Sequence, residues 1–191
     1  MQESGRNGEE TNEIKNGYSD IEKHWAKNEI LAVTGAGIFN GVNQKAFAPN
    51  KSLTRVQTAI VLNRLAGKEL AGTNSSYKDV SDSSPYANEI AWVTEKEIMK
   101  GINASTFAPN QPITREEFAV ALYKYLTQNG TTLDSDSEDK YKDDAKISEE
   151  SKKAVYELQA AGVMSGSNGN FDPNQPITRA DAAAIFSKLI Q

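Results

Sequence analysis

The chain has 191 residues, no cysteine, one histidine and a net charge of -5. The missing cysteine excludes disulfides, thiolate zinc sites and thiol catalysis, and the negative balance argues against a general attraction to nucleic acid or an anionic membrane. With 38% hydrophobic and 25% charged residues the chain is in the folding range, so any anion site on it must be local.

In chain order, residues 1–17 form a polar N-terminal tail without the apolar core of a signal peptide, and no stretch approaches the roughly 18 apolar residues of a membrane span. A first unit, 18–67, opens at Tyr18-Ser19-Asp20 and continues through His24-Trp25 into a predicted helix over about 25–36. Gly37 and Gly41 break it, Phe47-Ala48-Pro49-Asn50 makes a loop, and Thr54-Arg55 starts a second helix carrying Ala59, Leu62 and Leu65 at helical spacing. After a polar linker, a second unit at 77–127 repeats the order: Tyr77-Lys78-Asp79, Ser84 as N-cap with Pro85 in the first helical turn, Ile90 and Val93, Gly101, Phe107-Ala108-Pro109-Asn110, Thr114-Arg115, then Ala119, Leu122 and Leu126. The acidic run 134–139 lacks the central glycine of a calcium loop and reads as solvated linker. A third unit, 141–191, has Tyr141-Lys142-Asp143, a helix over about 148–161, Gly166, Phe171-Asp172-Pro173-Asn174, and Thr178-Arg179 leading to Ala183, Phe186 and Leu189. The chain is therefore all-α, three helix-loop-helix repeats. Units of about 50 residues bury too little surface alone, so the three are expected to pack together.

Within each unit, Phe47, Phe107 or Phe171 is expected to plug the core while Pro and Asn shape the turn. The alanine four residues after each arginine suits close helix packing. Thr54 with Gln57 and Thr114 with Glu117 are capping boxes, and Thr178 with Asp181 is a weaker one because Asp is short. Capping does not explain arginine, since the helix dipole disfavours a cation in the first turn by roughly 0.3–1 kcal/mol. Arg55, Arg115 and Arg179 nevertheless stand beside helix-start amides expected to be free, and guanidinium plus helix N-terminus is a carboxylate or phosphate site. The alternative is a salt bridge to Asp20, Asp79 or Asp143, or to an acid of a neighbouring unit. Gly41, Gly101 and Gly166 fit either a close ligand approach or a tight turn. Trp25 fits either packing or a sugar face. His24 fits a capping or packing role, no serine sits in a nucleophile motif, and nothing calls for a metal or cofactor.

The Tyr-x-Asp openings, His24-Trp25, Gly37-Ile38-Phe39-Asn40-Gly41, the Phe-x-Pro-Asn loops and the Thr-Arg starts together resemble the S-layer homology (SLH) module, over residues 18–191. The resemblance implies a pseudo-threefold, three-pronged assembly around a central bundle, with first helices gathered centrally and binding grooves between modules. It implies a non-catalytic anchor, outside the cell in the wall or S-layer of a bacterium. Its partner would be a secondary cell wall polysaccharide linked to peptidoglycan, often bearing a pyruvate ketal; nucleic acid and membrane insertion are not implied, and other S-layer subunits are a further partner class. The ligand-binding set carried by this reading is Arg55, Arg115, Arg179, Asp20, Asp79, Asp143, Trp25, Gly41, Gly101 and Gly166. Val56-Gln57 departs from the family pattern, and the third copy lacks the Trp, which marks its groove as weaker or merely structural and leaves one or two competent grooves. The competing reading is a self-assembling lattice module whose arginines only bridge repeats.

Overall fold

The computed structural model describes residues 17–67, 76–133 and 139–190. The tail 1–16 and residues 134–138, most of the acidic run, lie outside them. Six α-helices appear in chain order: α1 (Lys27–Gly35), α2 (Arg55–Ala66), α3 (Ala87–Glu95), α4 (Arg115–Gln128), α5 (Glu149–Ala160) and α6 (Arg179–Leu189). Among the described residues there is no strand, only isolated bridges, so the all-α expectation holds.

Each second helix starts where the capping pattern places it. Thr54, Thr114 and Thr178 are N-caps with extended backbone, and all three capping boxes are complete. The return bond lengthens from 2.9 Å with Glu117 and 3.1 Å with Gln57 to 3.3 Å with the shorter Asp181. The first helices begin later than the sequence reading put them. In the second unit the N-cap is Tyr86, because the amide of Ala87 closes a turn on the Ser84 carbonyl before the helix can propagate. Pro85 shapes that turn and is not a helical residue.

The helices that pack on one another belong to different modules. α2 packs on α3, α4 on α5, and α6 returns to α1. The first helices are thus each seated on the second helix of the preceding copy, not gathered at the centre as the resemblance implied. What lies innermost is the residue before each N-cap. Leu53, Ile113 and Ile177 are fully buried, and their backbones close a cycle: Leu53 N–H donates to Ile177 at 2.9 Å, Ile113 to Leu53 at 2.9 Å and Ile177 to Ile113 at 3.1 Å. Phe118 and Phe186 meet edge-on beside it at 5.6 Å.

Each loop is stapled to its own Tyr-x-Asp opening. Ala48, Ala108 and Asp172 are left-handed, with φ of 60°, 59° and 57°, a conformation that costs a non-glycine residue roughly 1–2 kcal/mol. Two amide-to-carboxylate bonds offset that cost. Asp20 accepts from Phe47 and Ala48 at 3.0 and 2.7 Å, Asp79 from Phe107 and Ala108 at 2.9 and 2.7 Å, and Asp143 from Phe171 and Asp172 at 2.8 Å each. The three phenylalanines are buried as core plugs, as expected, against the rings of Tyr18, Tyr77 and Tyr141.

Candidate functional site

The three arginines reach across module boundaries. Arg55 Nε donates to the Phe107 carbonyl at 2.9 Å, Arg115 Nε to Phe171 at 2.7 Å, and Arg179 Nε to Phe47 at 2.9 Å. Their Nη2 groups bond the carbonyls of Lys100, Ser165 and Asn40 in the same neighbouring loops. Each guanidinium also lies over the loop phenylalanine, between 4.6 and 5.1 Å from the ring centre, a cation–π contact strengthened by desolvation. Arg55 and Arg179 are buried at 4% and 2% exposure, whereas Arg115 is partly exposed. Burial pushes Arg55 below its ordinary pKa, with Glu117 pulling the other way, and pushes Arg179 down to about 10. Both remain cationic at neutral pH.

The helix-start amides differ from the expectation that they are free. Arg55, Arg115 and Arg179 donate their backbone N–H to Gln111, Gln175 and Lys51, and Val56, Glu116 and Ala180 donate theirs to Pro109, Pro173 and Pro49. Loop carbonyls of the next module fill the positions an anion would take, which solves the capping problem of P-N loops and helix starts together. The dipole penalty on arginine is answered in the same way, because the guanidinium sits among carbonyl oxygens and not in front of bare amides.

Asp20, Asp79 and Asp143 form no ion pair with the arginines among the described residues; their oxygens take loop amides. Burial opposes ionisation of Asp143, but the amides of Phe171 and Asp172 outweigh it and hold its carboxyl below the ordinary range. Gly41, Gly101 and Gly166 line the grooves, yet their missing side chain is explained inside the module. A Cβ would stand 2.4 Å from the Tyr18 ring, 2.5 Å from that of Tyr77 and 2.6 Å from that of Tyr141, and still closer to the Asn170 carbonyl at 2.0 Å. His24 accepts the Ala26 amide on Nδ1 and bonds Asn50 through Nε2, both at 3.2 Å; α1 itself has Ala26 as N-cap with no side-chain capping bond.

Three equivalent grooves follow from the ring. The first, about 170 Å³, runs between the Phe39–Val42 loop and α2, with Arg179 at its base. The middle one, about 330 Å³, lies between the Ile98–Ile102 loop, α4 and the start of α5, with Arg55 at its base. The third, about 700 Å³, lies between the loop at 163–167, α6 and α1, over Arg115. Among the described residues the large hydrophobic side chains left exposed are Trp25, Val42 and Ile102, at 64%, 47% and 50%. Each lines a different groove. Trp25 lines the groove of the third copy, since α1 packs on α6. Trp92 is partly buried and packs against the core.

Sequence reasoning passed over a second cation in every groove. Arg64, Lys124 and Lys188 stand ten residues after the three threonines and line the first, middle and third grooves. Lys124 and Lys188 hold loop carbonyls at Glu97 and Gly162, each at 2.9 Å. The recurrence is visible in the sequence but looks like the ordinary polar face of a helix. Glu29, beside Trp25, was also missed; its Oε2 is buried without a hydrogen-bond partner among the described residues.

The S-layer homology domain family matches at residues 17–59, 76–119 and 140–183, more than half of the chain. The chain belongs to the S-layer homology family. It is 32% identical to the surface-layer 125 kDa protein of Lysinibacillus sphaericus over 87% of its own length and 14% of that protein. The cellulosome-anchoring protein of Acetivibrio thermocellus is also 32% identical, over 76% of this chain and 33% of the relative. An exoglucanase, XynX, from Acetivibrio thermocellus matches at 32% over 91% of this chain and 16% of the enzyme. The chain thus spans a minor part of these relatives, and in the enzyme the SLH repeats are a side module. It is a cell-surface anchoring module, and its place is the bacterial cell wall or surface layer. Among the described residues no helix is long and apolar enough to cross a membrane.

Proposed function

We propose that the module anchors its protein non-catalytically by binding secondary cell wall polysaccharide in the grooves between SLH repeats, with a carboxylate such as that of a pyruvate ketal received at the groove cations. The observation that carries this reading is the third groove: Trp25, 64% exposed, stands over a space of about 700 Å³ that also holds Arg115 and Lys188. An exposed indole at the mouth of a polar, concave site matches the needs of a sugar, whose C–H face stacks while its substituents find hydrogen bonds and charge. Arg115 suits a carboxylate because, among the described residues, it has no ion pair and its Nη1 has no hydrogen-bond partner.

The second reading, in which the arginines only bridge repeats, draws support from the carbonyls they hold. The two readings combine: Arg55 and Arg179 are chiefly struts of the ring, and ligand contact falls to the exposed groove residues. Removing all three arginines would therefore open the assembly and cannot separate binding from folding. Trp25→Ala and Lys188→Ala can. Both should sediment poorly with purified cell walls while keeping wild-type thermal midpoints; sedimentation equal to wild type for both would refute the proposal.

A further inference from the structure

Glu116 distinguishes the middle groove from its two equivalents. It is the second residue of α4, where α2 has Val56 and α6 has Ala180, both buried. Its carboxylate lies across the module boundary at the start of α5. Oε1 accepts from the Ser148 hydroxyl and from the Ser151 hydroxyl at 2.8 Å, and Oε2 accepts from the Ser148 amide at 3.4 Å. Ser148, the N-cap of α5, makes no capping bond of its own. A carboxylate from one helix therefore caps the next, where the dipole favours an anion. In the same groove the one arginine strut with an acid partner is neutralised, Arg55 to Glu117 at 3.1 Å. The corresponding residue is neutral Gln57 in the first groove. In the third it is Asp181, whose Oδ2 is engaged by Thr178 at 2.6 Å. Neither Arg179 nor Arg115 has an ion pair among the described residues.

We infer that Glu116 closes the middle groove to acidic ligands, making it a structural joint and leaving acidic glycan to the first and third grooves. This rests on the reading of the grooves as sites for an acidic wall glycan. The physical ground is that the chain's own carboxylate already occupies the helix start, and a ligand carboxylate entering beside Arg55 would face Glu116 with the guanidinium already paired. Lysines line both the middle groove (Lys100, Lys124) and the third (Lys188), and the third also carries Glu29, Asp172 and Asp181, so the distinction rests on Glu116 seated at the helix start and on Arg55 being the one strut arginine with an acid partner among the described residues.

The three exposed groove hydrophobics provide one reporter each. Wild-type protein is titrated with the methyl glycoside of N-acetylglucosamine carrying a 4,6-pyruvate ketal, and the Trp25 indole, Val42 methyl and Ile102 methyl resonances are followed by NMR. The expected result is saturable shifts at Trp25, Val42 or both, with Ile102 unmoved. In Glu116→Gln, which keeps an acceptor for Ser148 and Ser151, the Ile102 methyl should begin to shift as well. A shift of Ile102 in the wild type would overturn the inference while leaving the groove reading intact, and so would an unmoved Ile102 in Glu116→Gln. Absence of any shift at all three positions in both proteins would overturn the inference and the reading beneath it.

Discussion

Replacing Arg179 tests the idea that the arginines close the ring. Arg179→Met keeps the aliphatic stem and removes a guanidinium that donates to the carbonyls of Phe47 at 2.9 Å and Asn40 at 2.8 Å, and that lies 4.6 Å from the centres of both Phe39 and Phe47. Hydrogen bonds to a charged donor contribute about 1.5–3 kcal/mol each, and stranding the buried Phe47 carbonyl costs about 1–3 kcal/mol, while the carbonyl of exposed Asn40 can turn to water. Against this, the cation is desolvated, as its lowered pKa of about 10 shows, and removing it returns part of that penalty. The balance is a loss of about 2–5 kcal/mol. Arg179→Lys should lose about 1–2 kcal/mol, because a point charge on a flexible stem can satisfy one carbonyl but not the fork. Arg115→Met should cost less than Arg179→Met, since its guanidinium is partly solvated. Urea unfolding followed by circular dichroism measures all three. A loss below about 1 kcal/mol for Arg179→Met, or an equal loss for Arg115→Met, would refute the strut.

Trp25→Ala should change stability by no more than about 0.5 kcal/mol, because an exposed side chain contributes little to folding; a drop beyond about 2 kcal/mol in the same assay would make the indole a packing residue. Gly166→Ala should destabilise by about 1–3 kcal/mol as the new methyl displaces the Asn170 carbonyl or the Tyr141 ring, which differential scanning calorimetry would register as a lowered Tm. Phe107→Ala should cost about 3–5 kcal/mol by emptying a fully buried plug that also supports Arg55; chemical denaturation gives the value. Acid should weaken the third module. Asp143 has a folded pKa below its unfolded value of about 3.9, so its contribution is complete above that value and is lost as pH falls through the folded pKa. Asp143→Asn should flatten the acid limb of a stability-against-pH curve, and an unchanged limb would show that the loop staple carries no charge dependence.

The elements themselves were legible because each signal is local. Capping boxes, the helical spacing of Ala59, Leu62 and Leu65, and the buried phenylalanines depend on residues a few positions apart, and the structure keeps them. Partner choice was not legible. With the same motifs in every copy, a sequence cannot tell whether Arg55 meets Phe47 of its own module or Phe107 of the next, and only the fold resolves the degeneracy in favour of the neighbour. The same ambiguity hid the fate of the helix-start amides, which looked free until the next module's Pro-Asn loop was placed against them. It also misassigned Trp25: the residue belongs to the first copy by sequence and to the third copy's groove by packing. Glu116 was invisible for a simpler reason. An acid in the first turn of a helix is what the dipole favours, so nothing in its position announced a contact with Ser148 and Ser151.

The proposed ligand of the grooves is a wall glycan that bears a carboxylate. The direct measurement is co-sedimentation of the wild-type chain with purified walls before and after mild acid hydrolysis that strips ketal-linked pyruvate and leaves the polysaccharide in place. The expected result is strong binding to intact walls and at least a tenfold weaker association with stripped walls, the discrimination of about 1.4 kcal/mol or more that a lost charged contact supplies. Equal binding to both walls would contradict it.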